Sequence, residues 1–264
     1  MRAGICQYEI EWENREKNMA KVMSYVTKAK AQKLDIIFLP EMSLIGFSMQ
    51  VEKTKDEYAG ETIEKFKELC REQAIAAGFG WVEKEGESKA HNHYTIVDKN
   101  GNVLSDYVKI HPFRYGGEAN YFEGGNSVEA CKFQEHKIAT AICYDLRFPE
   151  LFRIMDKDCS IIVVPANWPA SRKEHWNCLL QARAIENQIY VIGINCVGTM
   201  NGTYYSGNSA VFDPLGKLLA EIHDKEGMIC VDISNDVESY RSSFPVRIDQ
   251  RIEIEHKLGN GGCT

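Results

Sequence analysis

Three ionisable side chains stand where an apolar run gives way to a turn. Glu41 follows LDIIFLP (34–40), Lys109 follows NVLSDYV (102–108), and Cys143 ends HKIATAIC (136–143). In open α/β sheets ligands gather beyond the carboxyl ends of strands, so side chains distant in sequence can converge there. A thiol, a carboxylate and an ammonium suffice for covalent acyl transfer, as nucleophile, general base and oxyanion holder. Cys143, between a buried strand and a helix start, has the setting of a nucleophile elbow. Amide dipoles there and a nearby lysine are expected to favour the thiolate. Each residue also has a plainer reading: a structural cysteine, a solvated carboxylate at a loop start, a surface lysine. Spacing alone does not choose.

No histidine has an obvious place as base. His91 and His93 alternate on a strand candidate and so point to one face, as a metal pair would, but no carboxylate is spaced in sequence to complete a site. Neither a metal nor an organic cofactor is expected. His111 and His175 are expected to hydrogen-bond within the loops that frame the site.

Positioning these groups requires alternating strands and helices, and the chain supplies them. Residues 1–7 read as a strand. Over about 13–32, Met19, Val22, Met23 and Val26 recur at helical spacing, and 34–39 is an apolar run halted by Pro40. A second helix is expected over about 61–77, with Ile63, Phe66, Cys70, Ala74 and Ala77 on one stripe. Strands are expected near 79–84, 91–98 and 102–108, the last two joined at Lys99-Asn100-Gly101. Residues 109–135 show no period, yet carry Tyr115, Tyr121 and Phe122, which favours an ordered loop. Beyond it come strands at 136–143, 159–165 and 189–195, a short helix from Arg147, a helix near 171–187, and three further strands, the first two about an Asp-Pro…Gly turn and the last in GMICVDI.

LDIIFLPE and CSIIVVPA resemble one another, a faint internal repeat. Strands that are apolar almost throughout must be covered on both faces, so the class is α/β with helices outside the sheets. No linker interrupts residues 1–264, and one domain is expected, with a C-terminal arm at about 239–264 that could cross to a partner subunit.

Composition narrows the field further. At 264 residues the chain can bury a core without staples, and a net charge of -7 offers no attraction for nucleic acid or an anionic membrane. The nine cysteines are scattered, with no C-x-x-C pair. Cys6, Cys196 and Cys230 lie in apolar runs, where a reduced thiol acts as a small core hydrophobe. That usage suits a reducing compartment. The N-terminus turns acidic too early for a signal peptide, and no apolar run approaches the ~18 residues of a membrane span. A cytoplasmic protein is expected.

The motifs taken together are more specific than any one of them. LPEMSLIGFS (39–48), YVKIHPF (107–113), AICYDLRFPELFR (141–153), PANWP (165–169), QARAIENQIYVIGIN (181–195) and YSGNSAVFDPLGKLL (205–219) follow one another in this order. Over roughly residues 3–233 the sequence resembles the nitrilase superfamily of carbon–nitrogen hydrolases, and within it the omega-amidase-like amidohydrolases. The resemblance implies a four-layer α-β-β-α sandwich, a homodimer or larger homo-oligomer, and a Glu–Lys–Cys triad at Glu41, Lys109 and Cys143. It implies a second glutamate, matched best by Glu118 and less well by Glu123, and an oxyanion contact from the Tyr144 backbone. The implied reaction cleaves a small linear amide such as 2-oxoglutaramate or 2-oxosuccinamate to an acid and ammonia. Phe47, Asn167 and Trp168 are candidate substrate contacts. A substrate carboxylate needs a cation, for which Arg114 is the candidate. Arg147 and Arg183 are read as structural, paired with Glu150 and Glu186. Rival readings are an amidase for carbamoylated amines, aliphatic amides or nitriles, a non-catalytic binding subunit, and a redox-sensing cysteine protein.

Overall fold

The computed structural model describes residues 1–56, 60–157 and 159–249. The first half runs β1 (Arg2–Gln7), α1 (Arg15–Ala31), β2 (Ile36–Phe38), α2 (Val51–Thr54), α3 (Glu61–Gln73), β3 (Ala76–Glu83), β4 (His91–Val97) and β5 (Val103–Val108). The second half runs β6 (Ala130–Phe133), β7 (His136–Thr140), α4 (Pro149–Met155), β8 (Ile161–Ala166), α5 (Lys173–Asn187), β9 (Tyr190–Asn195), β10 (Val197–Met200), β11 (Thr203–Phe212), β12 (Leu218–His223), β13 (Gly227–Asp232) and α6 (Val237–Ser243).

Two sheets result. One has the order β13-β1-β2-β3-β4-β5, and the other β10-β11-β9-β8-β7-β6 with β12 beside β11. Each is built on a parallel triplet, β1-β2-β3 and β7-β8-β9, flanked by antiparallel strands. The repeated apolar motifs form the middle strands β2 and β8. Alternation then sorts their side chains between layers: Ile36 and Phe38 face the core between the sheets, while Ile37 and Leu39 face the helical layer outside. Helices α1 and α3 cover the first sheet, with Phe66 of α3 stacked on Phe79 of β3 at 3.8 Å. Helices α4 and α5 cover the second, through Leu151, Phe152, Trp176, Leu180 and Ala184. Across the middle, Gln7 accepts hydrogen bonds from Ser209 N at 3.0 Å and Ser209 Oγ at 2.7 Å. The architecture is the α-β-β-α sandwich.

Several local expectations are corrected. In α1, capped by Asn14 accepting from Lys17 N, the buried stripe is Asn18, Val22, Tyr25, Val26 and Ala29, and Met23 faces out. Helix α3 stops at Gln73 because Ala74 turns left-handed (φ 55°), so Ala77 belongs to β3. The segment 109–135 is ordered by two 3-10 turns, Arg114–Gly116 and Glu118–Asn120, and by β6. Of its aromatics only Phe122 is buried, and Tyr115 and Tyr121 are exposed. Cys6 and Cys196 are core residues but Cys230 is exposed. Within the C-terminal stretch, Arg241 donates to Asp156 O and Asn187 O, and Arg247 pairs with Asp156 at 2.8 Å. These contacts hold the start of the arm on its own chain as far as Arg247, and residues 250–264 lie outside the described residues.

Candidate active site

Three strand ends and one turn build the site. Beyond β2, Pro40 ends the strand and Glu41 enters a tight turn fixed by Ser43, whose Oγ donates to Pro40 O at 2.6 Å and accepts from Gly80 N at 2.8 Å. A Cβ at Gly80 would stand 2.3 Å from Met42 N, so only glycine lets β3 pass this close. Lys109 follows β5 and is locked by Lys109 N donating to Asn92 O and Gly125 N donating to Lys109 O, both at 2.9 Å. Glu118 begins the second 3-10 turn of the long loop.

Cys143 heads a 3-10 turn, Cys143–Arg147, with φ +47°. A non-glycine residue in that region costs on the order of 1–3 kcal/mol, which the surroundings must offset. Asp145 does so. Its carboxylate accepts from Ile142 N at 2.9 Å, His111 N at 2.9 Å and Tyr107 Oη at 2.8 Å, and lies 2.7 Å from His111 Nδ1. The turn therefore hangs on one fully buried carboxylate.

The side chains meet in a buried cluster. Lys109 Nζ donates to Glu41 Oε1 at 2.9 Å and to Glu118 Oε1 and Oε2 at 3.0 and 2.9 Å. Asn92 Nδ2 donates to Glu41 Oε1 at 2.8 Å and Glu118 Oε1 at 3.2 Å. The other oxygen of Glu41 accepts from Asn167 N at 2.9 Å, and Asn167 Nδ2 donates to Glu41 O at 2.7 Å. Phe113 N donates to Glu118 Oε2. All four of Glu41, Asn92, Lys109 and Glu118 are essentially inaccessible.

Electrostatics follows from this crowding. Burial works against the Lys109 charge, but Glu118 and Glu41 outweigh it and hold its pKa above the ordinary value. Burial raises Glu118, which Lys109 opposes and Glu41 reinforces. Cys143 is pushed well above the usual thiol range by burial and by Glu41, against the pull of Lys109. This corrects the expected thiolate: the resting group is a thiol, and its proton needs an acceptor.

Cys143 opens into a cavity of about 240 Å³ whose walls include Phe47, Phe113, Tyr144, Trp168 and Tyr205. Lys109 Nζ lies 5.2 Å from the Phe47 ring. Asn167 also lines the cavity, but its amides are engaged with Glu41 rather than free for a substrate. Arg114 does not line it; the first 3-10 turn carries that side chain outward, where it is exposed. Glu123 is likewise exposed, which leaves Glu118 as the second glutamate of the cluster.

The cations at the cavity are Arg147 and Arg172. Arg147 does not pair with Glu150. Its guanidinium lies over Trp168 at 4.6 Å and Tyr144 at 5.9 Å and meets His175 Nδ1 at 3.3 Å. Arg172 stands over Phe113 at 5.5 Å. Among the described residues neither has a carboxylate partner, and burial together with Arg172 lowers Arg147 from its ordinary value. Arg183 does pair with Glu186, at 2.8 Å, and also donates to Leu146 O.

Sequence reasoning missed Asn92, Asp145, Tyr107 and Arg172. Two carried a signal. Asn92 lies between His91 and His93, so strand alternation puts it on the inner face, where a polar side chain needs a partner. Asp145 is two residues beyond Cys143, within reach of its turn.

Known proteins resemble the chain in both sequence and fold. A sequence model of the carbon-nitrogen hydrolase family matches residues 2–242. A 2-oxoglutaramate amidase of Bacillus subtilis is 30% identical over 251 residues, covering 94% of this chain and 96% of that protein. An omega-amidase of Escherichia coli is 36% identical over 214 residues, covering 80% and 82%. Among solved structures, a CN-hydrolase superfamily protein of Xanthomonas campestris with an arsenic adduct in its active site superposes with a TM-score of 0.88 at 27% identity, covering 97% of this chain and 99% of that one. Matched in sequence along nearly its whole length, and alike in fold to solved members, the chain belongs to the carbon–nitrogen hydrolase family and is an amidohydrolase acting on non-peptide amides.

Proposed function

We propose that this protein is an omega-amidase: it hydrolyses a small linear amide that carries a carboxylate, of the 2-oxoglutaramate or 2-oxosuccinamate kind, to the acid and ammonia. The observation that carries the reading is the pair of guanidiniums, Arg147 and Arg172, at the cavity of Cys143 with no acidic partner among the described residues. Two unneutralised cations beside apolar walls suit a short substrate with an anionic end. Relatives named omega-amidase and 2-oxoglutaramate amidase support it.

In this reading the Cys143 proton passes to Glu41 as sulfur attacks the amide carbon. The high thiol pKa keeps that proton in place until attack, so no exposed thiolate is left to oxidise. Lys109 and the Tyr144 N–H hold the tetrahedral oxyanion. As the second residue of a 3-10 turn, Tyr144 has an N–H outside the turn's own hydrogen bonds. Collapse breaks the carbon–nitrogen bond, and Glu41 returns the proton to the departing ammonia. Glu41 then takes a proton from water as its oxygen attacks the thioester, and the acid leaves as sulfur regains a proton. Asn92 and Asn167 keep the Glu41 carboxylate aimed throughout, and Glu118 anchors Lys109.

The test is ammonia release from 2-oxoglutaramate, succinamate, glutamine, carbamoylputrescine and simple nitriles, with wild type and Cys143→Ala. The ω-amides of dicarboxylic acids are expected to be preferred, and Cys143→Ala to lose more than about a thousandfold in turnover. Preference for an uncharged substrate would overturn the carboxylate assignment. A reducing cytoplasm suits an enzyme that depends on a free thiol. A homodimer is supported by exposed Ile154, Ile185, Leu215, Phe244 and Ile248 around the α4–α5 face, and light scattering of the purified protein tests it.

A further inference from the structure

On the outer face of the first sheet, three metal-ligating side chains stand together, away from the cysteine site. The antiparallel register of β3 and β4 pairs Glu83 with His91 and Trp81 with His93, so Glu83, His91 and His93 share one face. His91 Nδ1 lies 3.5 Å from Glu83 Oε2, and His93 Nε2 lies 3.3 Å from the same oxygen. One ligand atom from each residue falls within 4.8 Å of the other two. We propose that Glu83, His91 and His93 form a site for a divalent transition metal of the zinc type, held by two imidazoles and one carboxylate with an open fourth position.

Two of the three ligand–ligand distances, those from Glu83 to the imidazoles, fit a common centre. Metal–ligand bonds of about 2.0–2.1 Å in a tetrahedron separate neighbouring ligand atoms by about 3.3–3.4 Å. The two contacts to Glu83, at 3.5 and 3.3 Å, lie close to that edge before any ion is added. Two nitrogens and one carboxylate oxygen form a donor set suited to zinc, with water completing the shell.

His93 supplies an independent observation. Its side chain is more than nine-tenths buried, yet its Nε2 has no hydrogen-bond partner. Although Glu83 Oε2 is near enough, it lacks hydrogen-bond geometry. The other ring nitrogen is committed: His93 Nδ1 stands 2.9 Å from Asp106 Oδ2. Asp106 is held in turn by Thr95 Oγ1, and Thr95 by Trp81 Nε1 at 2.8 Å. A carboxylate on Nδ1 with Nε2 turned to the cluster is the outer-sphere arrangement of metal-bound histidines. A buried histidine with a purely structural role would be expected to have both ring nitrogens in hydrogen bonds, one donating and one accepting. His91 and Glu83 are partly exposed, which provides an entry path. Lys84, the nearest cation in sequence, is engaged by Glu52 and does not neutralise Glu83.

The site bears on the enzyme through one residue. Asn92 lies between the two histidines on β4 and points to the opposite face, where it bridges Glu41 and Glu118. A metal clipping β3 to β4 stiffens the strand that presents it.

The full-length protein, stripped with a chelator and dialysed, is titrated with zinc by calorimetry, and its cobalt(II) form is recorded by absorption. One equivalent is expected to bind and to raise the melting temperature, with a cobalt spectrum free of thiolate charge transfer. Asp106→Asn is expected to weaken binding about 10–100-fold, and His91→Ala and Glu83→Gln, on the partly exposed rim, to abolish it while stripped-form amidase activity persists. Three results would each overturn the proposal: no zinc retained at micromolar concentration, binding unchanged in His91→Ala, or a thiolate band showing that cysteines hold the ion.

Discussion

Asn92 Nδ2 and Lys109 Nζ converge on the same oxygen of Glu41, at 2.8 and 2.9 Å. The carboxylate is thereby fixed from β4 and from the end of β5 at once, and its second oxygen is fixed by the Asn167 backbone. In its proposed role as general base, a carboxylate held this way is already oriented when the thiol must be deprotonated.

Removing the amide of Asn92 should release that base. A hydrogen bond to a charged group contributes about 1.5–3 kcal/mol, so Asn92→Ala is expected to lower kcat by about 10–100-fold with little change in KM. Asn92→Asp should be worse, because it places a third carboxylate beside Glu41 and Glu118. Steady-state ammonia release gives both numbers, and an unchanged kcat in Asn92→Ala would count against a positioning role.

Lys109→Met should expose what the ammonium balances. Two buried carboxylates lose their cation, a loss of about 3–5 kcal/mol at neutral pH. Burial and Glu41 already raise Glu118, and without Lys109 it rises further. A carboxyl whose folded pKa exceeds its unfolded value binds more protons when folded. The variant should therefore gain stability as pH falls through the folded pKa, levelling off below about 4.3. Urea denaturation at neutral and mildly acidic pH checks the sign; a penalty that grows on acidification would contradict it.

Asp145→Asn should disturb the nucleophile without touching substrate. The amide keeps one acceptor oxygen where the carboxylate offered two, yet Ile142 N, His111 N and Tyr107 Oη all need acceptors. A loss of about 2–4 kcal/mol in stability and a larger fall in kcat than in kcat for Tyr107→Phe are expected. Thermal melts beside kinetics separate the two effects.

Arg147→Met and Arg172→Met should discriminate between substrates. Each is expected to lower kcat/KM for a carboxylate-bearing amide by about 10–100-fold while sparing a neutral amide of similar length. Equal losses on both substrates would mean that the arginines only shape the cavity.

The three strand-end residues were legible because each follows a local pattern: an apolar run, then a turn or proline. Their convergence was not, since nothing near Glu41 in sequence announces Asn167, 126 residues away. Arg114 shows how sequence proximity misleads. It lies close to Lys109 along the chain, but a 3-10 turn points it outward, whereas Arg147, one 3-10 turn beyond Cys143, comes back to the cavity. Cys143 shows the same for charge: the nearby lysine argued for a thiolate, but burial first and then Glu41, visible only in three dimensions, push the thiol pKa up.

Order, type and approximate extent of most strands were set by the sequence alone, because period-2 burial and apolar runs are properties of adjacent residues; the short β6 and β10 carry no such pattern. So was the choice of Cys143 as the candidate nucleophile, through motifs that keep their order along the chain. Strand register, the paths of the loops and the balance of charge around each buried group were decided only on folding. These depend on which surfaces pack together, and that is a property of the whole chain and not of any window in it.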